Sequence, residues 1–401
     1  MSFSLFEKKD EASLLIDIGN GSIGSALVLC KENSKPVVLH SVRKSFSISG
    51  ESFENRIVEE MLKTLDESLK DLMKYNFKAD HLKKTFNGIL ISFSSPWFIL
   101  QSKDIHLEQD KTFIITQSFV DDVLTKEEMM FKKELLEQSK KNGLNEKYVI
   151  VDKNIVHCKL NGYTLRINIG KKTKAFDAFL CLSAIPEITL NKIISTVHRY
   201  TNTDEEKISI HAFPLVSFLV IKDIFHYEDN FLIMDVAGET TDITLISDGT
   251  LKKTMSFPLG RNFIIRQITK KFDCSPQIAE SMLHMFNSGE ADEPVSKSIE
   301  EVLANIETEW AIYIEDTLAT LSPQMILPPN VYLTVDTDVS KFFIDSLKLP
   351  KSDRTSLFRK NIQVVHMNSE LMTHVTEKNP LAPQDEFIDI LALFFSKFLN
   401  K

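Results

Sequence analysis

The chain has 401 residues, 43 % of them apolar and 26 % charged, enough to bury the core of two or three structural units and too balanced for a disordered segment. Lys and Arg number 47 against 56 Asp and Glu, and a net charge of −9 argues against nucleic acid as a partner. Cys30, Cys158, Cys181 and Cys274 form no CxxC pair, which argues against a zinc knuckle or a disulfide framework and fits a cytoplasmic protein with reduced thiols.

In chain order, Ser13–Asp17 and Ser25–Cys30 read as two strands of a hairpin joined by a glycine-rich turn. Phe53–Tyr75 has helical periodicity, with Ile57, Met61, Leu65, Leu69 and Leu72 on one face. Phe86–Phe93 is a strand, ended by Ser94-Ser95-Pro96. Thr125–Lys141 is a charged helix whose Lys132, Lys133, Lys140 and Lys141 are balanced by Glu127, Glu128, Glu134 and Glu137, a solvated face. Tyr148–Leu160 alternates as a strand, Asn161-Gly162 marks a hairpin turn, and Leu165–Ile169 and Ala178–Ile185 supply two further strands. Thr189–Tyr200 is a helix, Ile208–Ile210 a strand and Phe213–Phe225 an apolar helix. Strands at Phe231–Asp235 and Asp242–Ser247 repeat the opening pattern, and helices follow at Arg261–Phe272, Pro276–Phe286 and Ser298–Leu321, the last two parted by a polar loop at Asn287–Pro294. Val331–Val335 is a strand, Val339–Leu347 a helix and Gln363–Val365 a strand. Asp385–Leu399 closes the chain as a helix capped by Asp385, read as a buried core helix because Lys397 and Lys401 are too few cations for a membrane-surface helix. Both long apolar runs, at Phe213–Phe225 and Phe387–Leu399, fall short of the ~20 residues that span a bilayer, and the first ten residues lack the apolar centre of a secretory signal. The alternation of strands and helices makes the fold class α/β.

Glycine is scarce, 12 residues in 401, yet Gly19, Gly21 and Gly24 fall together. Two segments then match each other, Asp17-Ile-Gly19-Asn20-Gly21-Ser22 and Asp235-Val-Ala237-Gly238-Glu239-Thr240-Thr241-Asp242. Each is an apolar strand ending in Asp, then a tight turn of small and hydroxyl residues, then another strand. Such a pair can present backbone N–H and hydroxyl groups to a phosphate, because glycine lets the backbone approach. Two strand-end carboxylates facing one cleft repel unless a cation such as Mg²⁺ joins them. His157-Cys158 has no partner at metal-ligand spacing and is read as part of a strand.

These residues resemble the two phosphate motifs of the actin-like ATPase superfamily, and within it the bacterial proteins FtsA and PilM. Between the motifs, Phe86–Ile185 looks like the strand-helix-strand-strand module that FtsA carries as an insertion, and Gly249 to Gly260 resembles the strand and turn that close the second hairpin. The resemblance implies a two-lobed actin-like (ribonuclease H-like) fold: 1–86 and 186–227 in the first lobe, 87–185 the inserted module, 228–375 the second lobe, and 376–401 a closing helix returning to the first lobe. It implies Mg-ATP bound by Asp17, Gly19, Asn20, Gly21, Ser22, Asp235, Gly238, Glu239, Thr240, Thr241 and Gly260, with Asp17 and Asp235 holding the metal and Glu309 contacting ribose or adenine. Three departures stand out: Ala237 replaces a family glycine, the glycine pair that follows appears as Gly260-Arg261, and the adenosine stretch, Val331–Ser340, has no glycine at all.

The function so implied is that of a cytoplasmic scaffold, at most a weak ATPase, that recruits protein partners through its inserted module at the inner face of the membrane. FtsA does this in cell division and PilM in type IV pilus assembly; self-association and an indirect or peripheral membrane contact belong to the same picture. Two alternatives follow from the residues: a nucleotide-free interaction platform, and a working ATPase or phosphotransferase.

Overall fold

Alternation along each strand divides the apolar residues between two cores, and this determines the layers. The computed structural model describes residues 12–46, 53–75, 85–143, 146–160, 163–165, 169–322, 327–348 and 362–400. Ala12–Ile18 (β1) and Ser22–Leu29 (β2) form the expected hairpin, followed by Val37–Ser45 (β3) antiparallel to β2. Ile89–Phe93 (β4) and Ile208–Ala212 (β9) extend the sheet in parallel from β1, and Glu377–Lys378 (β15) edges it beyond β3. Leu14, Ile16 and Ile18 of β1 face Phe53–Leu72 (α1) and Glu187–His198 (α3), where Ile57, Met61, Leu65, Leu69 and Leu72 are all buried. Leu15 faces the opposite way, into a second core.

The second sheet has the order β12-β11-β10-β13-β14, built from Phe231–Val236 (β10), Thr241–Ser247 (β11), Thr250–Phe257 (β12), Asn330–Val335 (β13) and Gln363–His366 (β14). Leu232, Met234 and Val236 face Arg261–Phe272 (α5), Pro276–Ser288 (α6), Glu293–Leu321 (α7) and Thr337–Lys348 (α8). Phe231 and Ile233 face the same core as Leu15. That shared core is filled by Phe213–Ile224 (α4) and Glu386–Phe394 (α10), which lie between the two lobes. Ser369–Met372 (α9) precedes β15 and packs on α10. The architecture is a two-lobed actin-like fold.

A separate four-stranded sheet, ordered β5-β8-β6-β7, comprises Ile99–Ile114 (β5), Tyr148–Leu160 (β6), Tyr163–Leu165 (β7) and Lys172–Pro186 (β8), with Gln117–Lys141 (α2) laid across it. Ile99 pairs with Ala184, so this module enters and leaves its host at one place. Its start differs from the expected residue 87: the strand at 89–93 pairs with β1 and β9 and belongs to the first sheet. On the first lobe the module is anchored by buried Asp152, which accepts from Ser183 Oγ, from Ala212 N (2.9 Å) and pairs with His211 Nδ1 (2.6 Å). On the second lobe, Lys252 of β12 pairs with Asp104 of β5 (3.0 Å) and lies 4.5 Å above the Phe179 ring.

Three strands have no counterpart among the expected elements: β3, β5 and the two-residue edge strand β15. β3 and β5 are half-buried and polar, with little apolar alternation to signal them. The loop expected at 287–294 is shorter, 289–292: α6 runs to Ser288, Gly289 caps it at φ +74°, and Asp292 caps α7, which begins at Glu293. The Asn161-Gly162 turn lies outside the described residues, as do 166–168 of the strand expected at 165–169.

Every residue of α10 is buried, and Asp385 Oδ1 accepts from Ile388 N (3.1 Å) at its start. Leu391, fully buried between the lobes, should therefore cost about 2–5 kcal/mol when changed to Ala, read as a lower urea midpoint at unchanged slope. Truncation after Asp385 should leave an aggregated or unfolded chain by size-exclusion chromatography and circular dichroism.

Candidate functional site

Register places the first charged residues. Across β1, β2 and β3, Asp17 stands opposite Gly24 and Gly24 opposite Arg43. A Cβ at Gly24 would lie 2.6 Å from Arg43 Nη2, so glycine there lets the Arg43 side chain cross β2. The guanidinium donates to Asp17 Oδ2 (2.9 Å), Ser22 Oγ (2.9 Å) and both carboxylate oxygens of Asp385 (2.8 Å each), and sits 5.0 Å from the Phe387 ring centre. Burial works against its charge, and the Asp385 and Asp17 carboxylates outweigh that effect.

The two glycine-containing turns meet directly. A Cβ on Gly21 would fall 2.6 Å from Gly238 Cα, and one on Gly238 would strike Gly21 Cα in turn. Asn20, fully buried, joins the turns: its Nδ2 donates to Thr240 Oγ1 (2.6 Å) and to Ser95 O (2.6 Å), and its Oδ1 accepts from Glu239 N (2.7 Å). Other backbone donors are also used, Gly19 N on Ser22 O and Ala237 N on Thr240 O, both 3.0 Å. Gly260 lets the start of α5 close onto the second turn, where Arg261 N donates to Ala237 O (3.0 Å) and Asn262 N to Gly238 O (2.7 Å). The helix N-terminus, a ready anion site, is thereby spent on the turn. The Glu239 carboxylate is held by Arg266 Nη1 (2.7 and 2.9 Å) and Asn262 Nδ2 (3.0 Å), and Thr241 Oγ1 donates to Leu259 O (2.6 Å).

Asp235 and Asp242 lie side by side beneath these turns. Burial pushes both above the ordinary carboxylate range, and for Asp235 the charges of Asp242 and Asp17 add to it. Asp17 rises to about 6, with burial ahead of the opposing Arg43 charge. Ser94 Oγ donates to Asp235 and Ser95 N to Asp242, both at 3.4 Å, while Trp97 Nε1 donates to Gly19 O (2.8 Å). The turn expected at the adenosine position is tied off by side chains: Arg261 pairs with Asp338 (2.7 Å) and Glu280 (3.1 Å), and Thr337 Oγ1 donates to Glu386 (2.8 Å). Glu309 stands exposed on α7. A cavity of about 290 Å³ opens among α5, α6, α7 and α8, lined by Leu283, Phe286, Leu303 and Phe342; Glu309 is not part of its wall.

Asp17, Gly19, Asn20, Gly21, Ser22, Asp235, Gly238, Glu239, Thr240, Thr241 and Gly260 are thus brought to one junction, but they engage each other. The fit to Mg-ATP divides accordingly. Asp17 Oδ1 and Asp235 Oδ1 are buried with no hydrogen-bond partner among the described residues, which suits a hard cation. The phosphates do not fit, because the two turns are in backbone contact and Arg43 already supplies the positive charge. Among the described residues no group of three or more His, Cys, Asp or Glu is arranged to hold a metal. The sequence reading missed Arg43, Ser94, Ser95, Trp97, Asn262 and Asp385 as members of the junction. The available signal was Gly24, a third glycine with no phosphate role.

The fold and the paired turns define a protein of the actin-like ATPase fold. Among solved structures, the chain is similar to one from a PilM-PilN type IV pilus biogenesis complex, with 14 % identity, 96 % of this chain and 97 % of that chain covered, and a TM-score of 0.59. Matches also include the ethanolamine utilization protein EutJ from Carboxydothermus hydrogenoformans (11 % identity, 96 % and 89 % covered, TM-score 0.44). Another is a Bacteroides thetaiotaomicron protein with an actin-like ATPase fold and unknown function (12 %, 98 % and 99 %, TM-score 0.39). No family model matches the sequence, and no curated protein does.

Two outcomes follow from the junction. Gly238→Ala should destabilise the protein by about 1–3 kcal/mol in buffer without nucleotide, because its Cβ meets backbone that cannot rotate away. Asp17 binds its proton more tightly folded than unfolded, so its contribution to stability is full below pH ~4 and lost as pH rises through about 6. Asp17→Asn stays neutral throughout; relative to wild type it should gain on the order of 2–3 kcal/mol between pH 4 and pH 7, measured by urea unfolding across that range.

Proposed function

We propose that this chain is a PilM-type scaffold that holds protein partners at the cytoplasmic face of a membrane and works without a nucleotide. The observation that carries this reading is the seat of Gly21 on Gly238, sealed by Asn20, at the place where phosphates would lie. Arg43 supports it by standing where a metal would balance Asp17. The likeness of fold to a chain solved with PilN favours the pilus-type role over the division-type role. In this reading the module at 99–186 offers the partner surface, and membrane attachment runs through the partners. Among the described residues no helix is long and apolar enough to cross a membrane.

A nucleotide-binding switch is the second reading, favoured by the unpartnered oxygens of Asp17 and Asp235. Thermal melting separates the two. A ligand at a hundred times its Kd adds about 2.7 kcal/mol, which raises the melting temperature by several degrees. The expected result is a melting temperature indifferent to millimolar Mg-ATP or Mg-ADP, with no heat of binding by calorimetry. A rise of several degrees that Asp235→Ala abolishes would overturn the nucleotide-free reading.

A further inference from the structure

α2 has two faces of different character. Val120, Phe131, Leu135 and Ser139 are buried against the four-stranded sheet. On the opposite side, Lys126, Met129, Lys133, Leu136 and Lys140 follow each other at i, i+3, i+7, i+10 and i+14, a repeat of 3.5 residues that keeps them on one narrow stripe. Met129 is 67 % exposed and Leu136 42 %, with Met130, at 45 %, beside them. From sequence this side reads as a solvated face with its charges balanced. In the structure, three of α2's acidic residues look elsewhere: Glu128 pairs with Lys132 and Lys153, and Glu127 and Glu134 with Lys103 of β5, while exposed Asp122 heads the stripe seven residues before Met129. Glu137 reaches Lys133 only at 4.0 Å, and among the described residues Lys126 and Lys140 have no carboxylate within ion-pair distance.

From this placement we infer that the outer stripe of α2 is a docking surface for an acidic amphipathic helix of a partner protein, with Met129 and Leu136 as apolar knobs and Lys126, Lys133 and Lys140 pairing with its carboxylates. The stripe is about 21 Å long, two heptads of a helix. A second copy of the same stripe would set lysine against lysine, which disfavours self-pairing. An anionic bilayer is disfavoured as well: two apolar side chains in single file, flanked by Asp122 and Glu137 on a chain of net charge −9, make a weak membrane surface. This deepens the scaffold reading by naming the partner's chemistry, yet it stands apart from the junction: nucleotide binding would overturn the first and leave this stripe as it is.

The test uses the full chain and a fluorescent 21-residue peptide with Leu at a and d and Glu at e and g, beside a twin carrying Lys at e and g. In fluorescence anisotropy the acidic peptide should bind at least about tenfold tighter than the basic one, and more weakly as salt rises. Met129→Glu with Leu136→Glu should weaken it by about tenfold or more, at an unchanged melting temperature because both side chains are exposed. Lys133→Glu alone should weaken it by a smaller factor, and serves if the double variant folds poorly. No binding of the acidic peptide at ~100 μM, equal binding of both peptides, or binding untouched by these substitutions would overturn the inference. So would capture by phosphatidylglycerol vesicles that the same substitutions abolish without any peptide binding, which would assign the stripe to lipid.

Discussion

Carboxylates buried together repel unless a cation or shared protons stand among them, and the junction between the lobes is organised around that constraint. Asp17, Asp235, Asp242 and Asp385 converge there, all nearly inaccessible to solvent. Arg43 serves Asp17 and Asp385 at once, so the first hairpin, β3 and the start of α10 are fastened by one guanidinium. Asp235 and Asp242 are met instead by raised affinity for protons and by donors from the loop after β4. Charge is balanced within the polypeptide, and the turns can then close on each other. Because Asp385 caps α10, the same arginine also positions the helix that fills the core shared by both lobes.

Glycine in such turns has two physical uses that look alike in sequence. It lets backbone approach a phosphate, and it lets backbone approach backbone. Asp17-Ile-Gly19-Asn20-Gly21-Ser22 is compatible with either, and the difference lies in residues far along the chain: Gly238 opposite Gly21, and Asn262 and Gly260 behind it. Asn20 is the discriminating side chain, since its amide uses the Glu239 N–H that a phosphate oxygen would otherwise accept from.

Elements with strong apolar periodicity were legible from sequence. α1, β6, α5 and α10 lie where their hydrophobic residues placed them: in α1 and α5 burial on one face sets position and period, and in α10 an apolar run flanked by its Asp385 cap marks a helix buried all round. β3 and β5 were not legible, since half-exposed strands with polar residues on both faces carry little alternation. Missing β3 meant missing Arg43, and with it the cation of the junction. The members of the two turns were legible as a group, but what they bind was not: Ser94, Ser95 and Trp97 are joined to them by parallel pairing of β4 with β1, a long-range contact without a local signature. Asp385 reads from sequence as a helix cap, and its second role with Arg43 depends on α10 returning to β3.

The module is attached to different bodies through two of its strands, β6 and β5. Buried Asp152 fixes it to the end of β9 in the first lobe, whereas half-buried Lys252 and exposed Asp104 tie it to the second. A clamshell motion of the lobes would have to shear the second tie while leaving the first intact. Opening the lobes would therefore have to break the Gly21–Gly238 contact and this tether together, whereas a tilt of the module about Asp152 would break the tether alone.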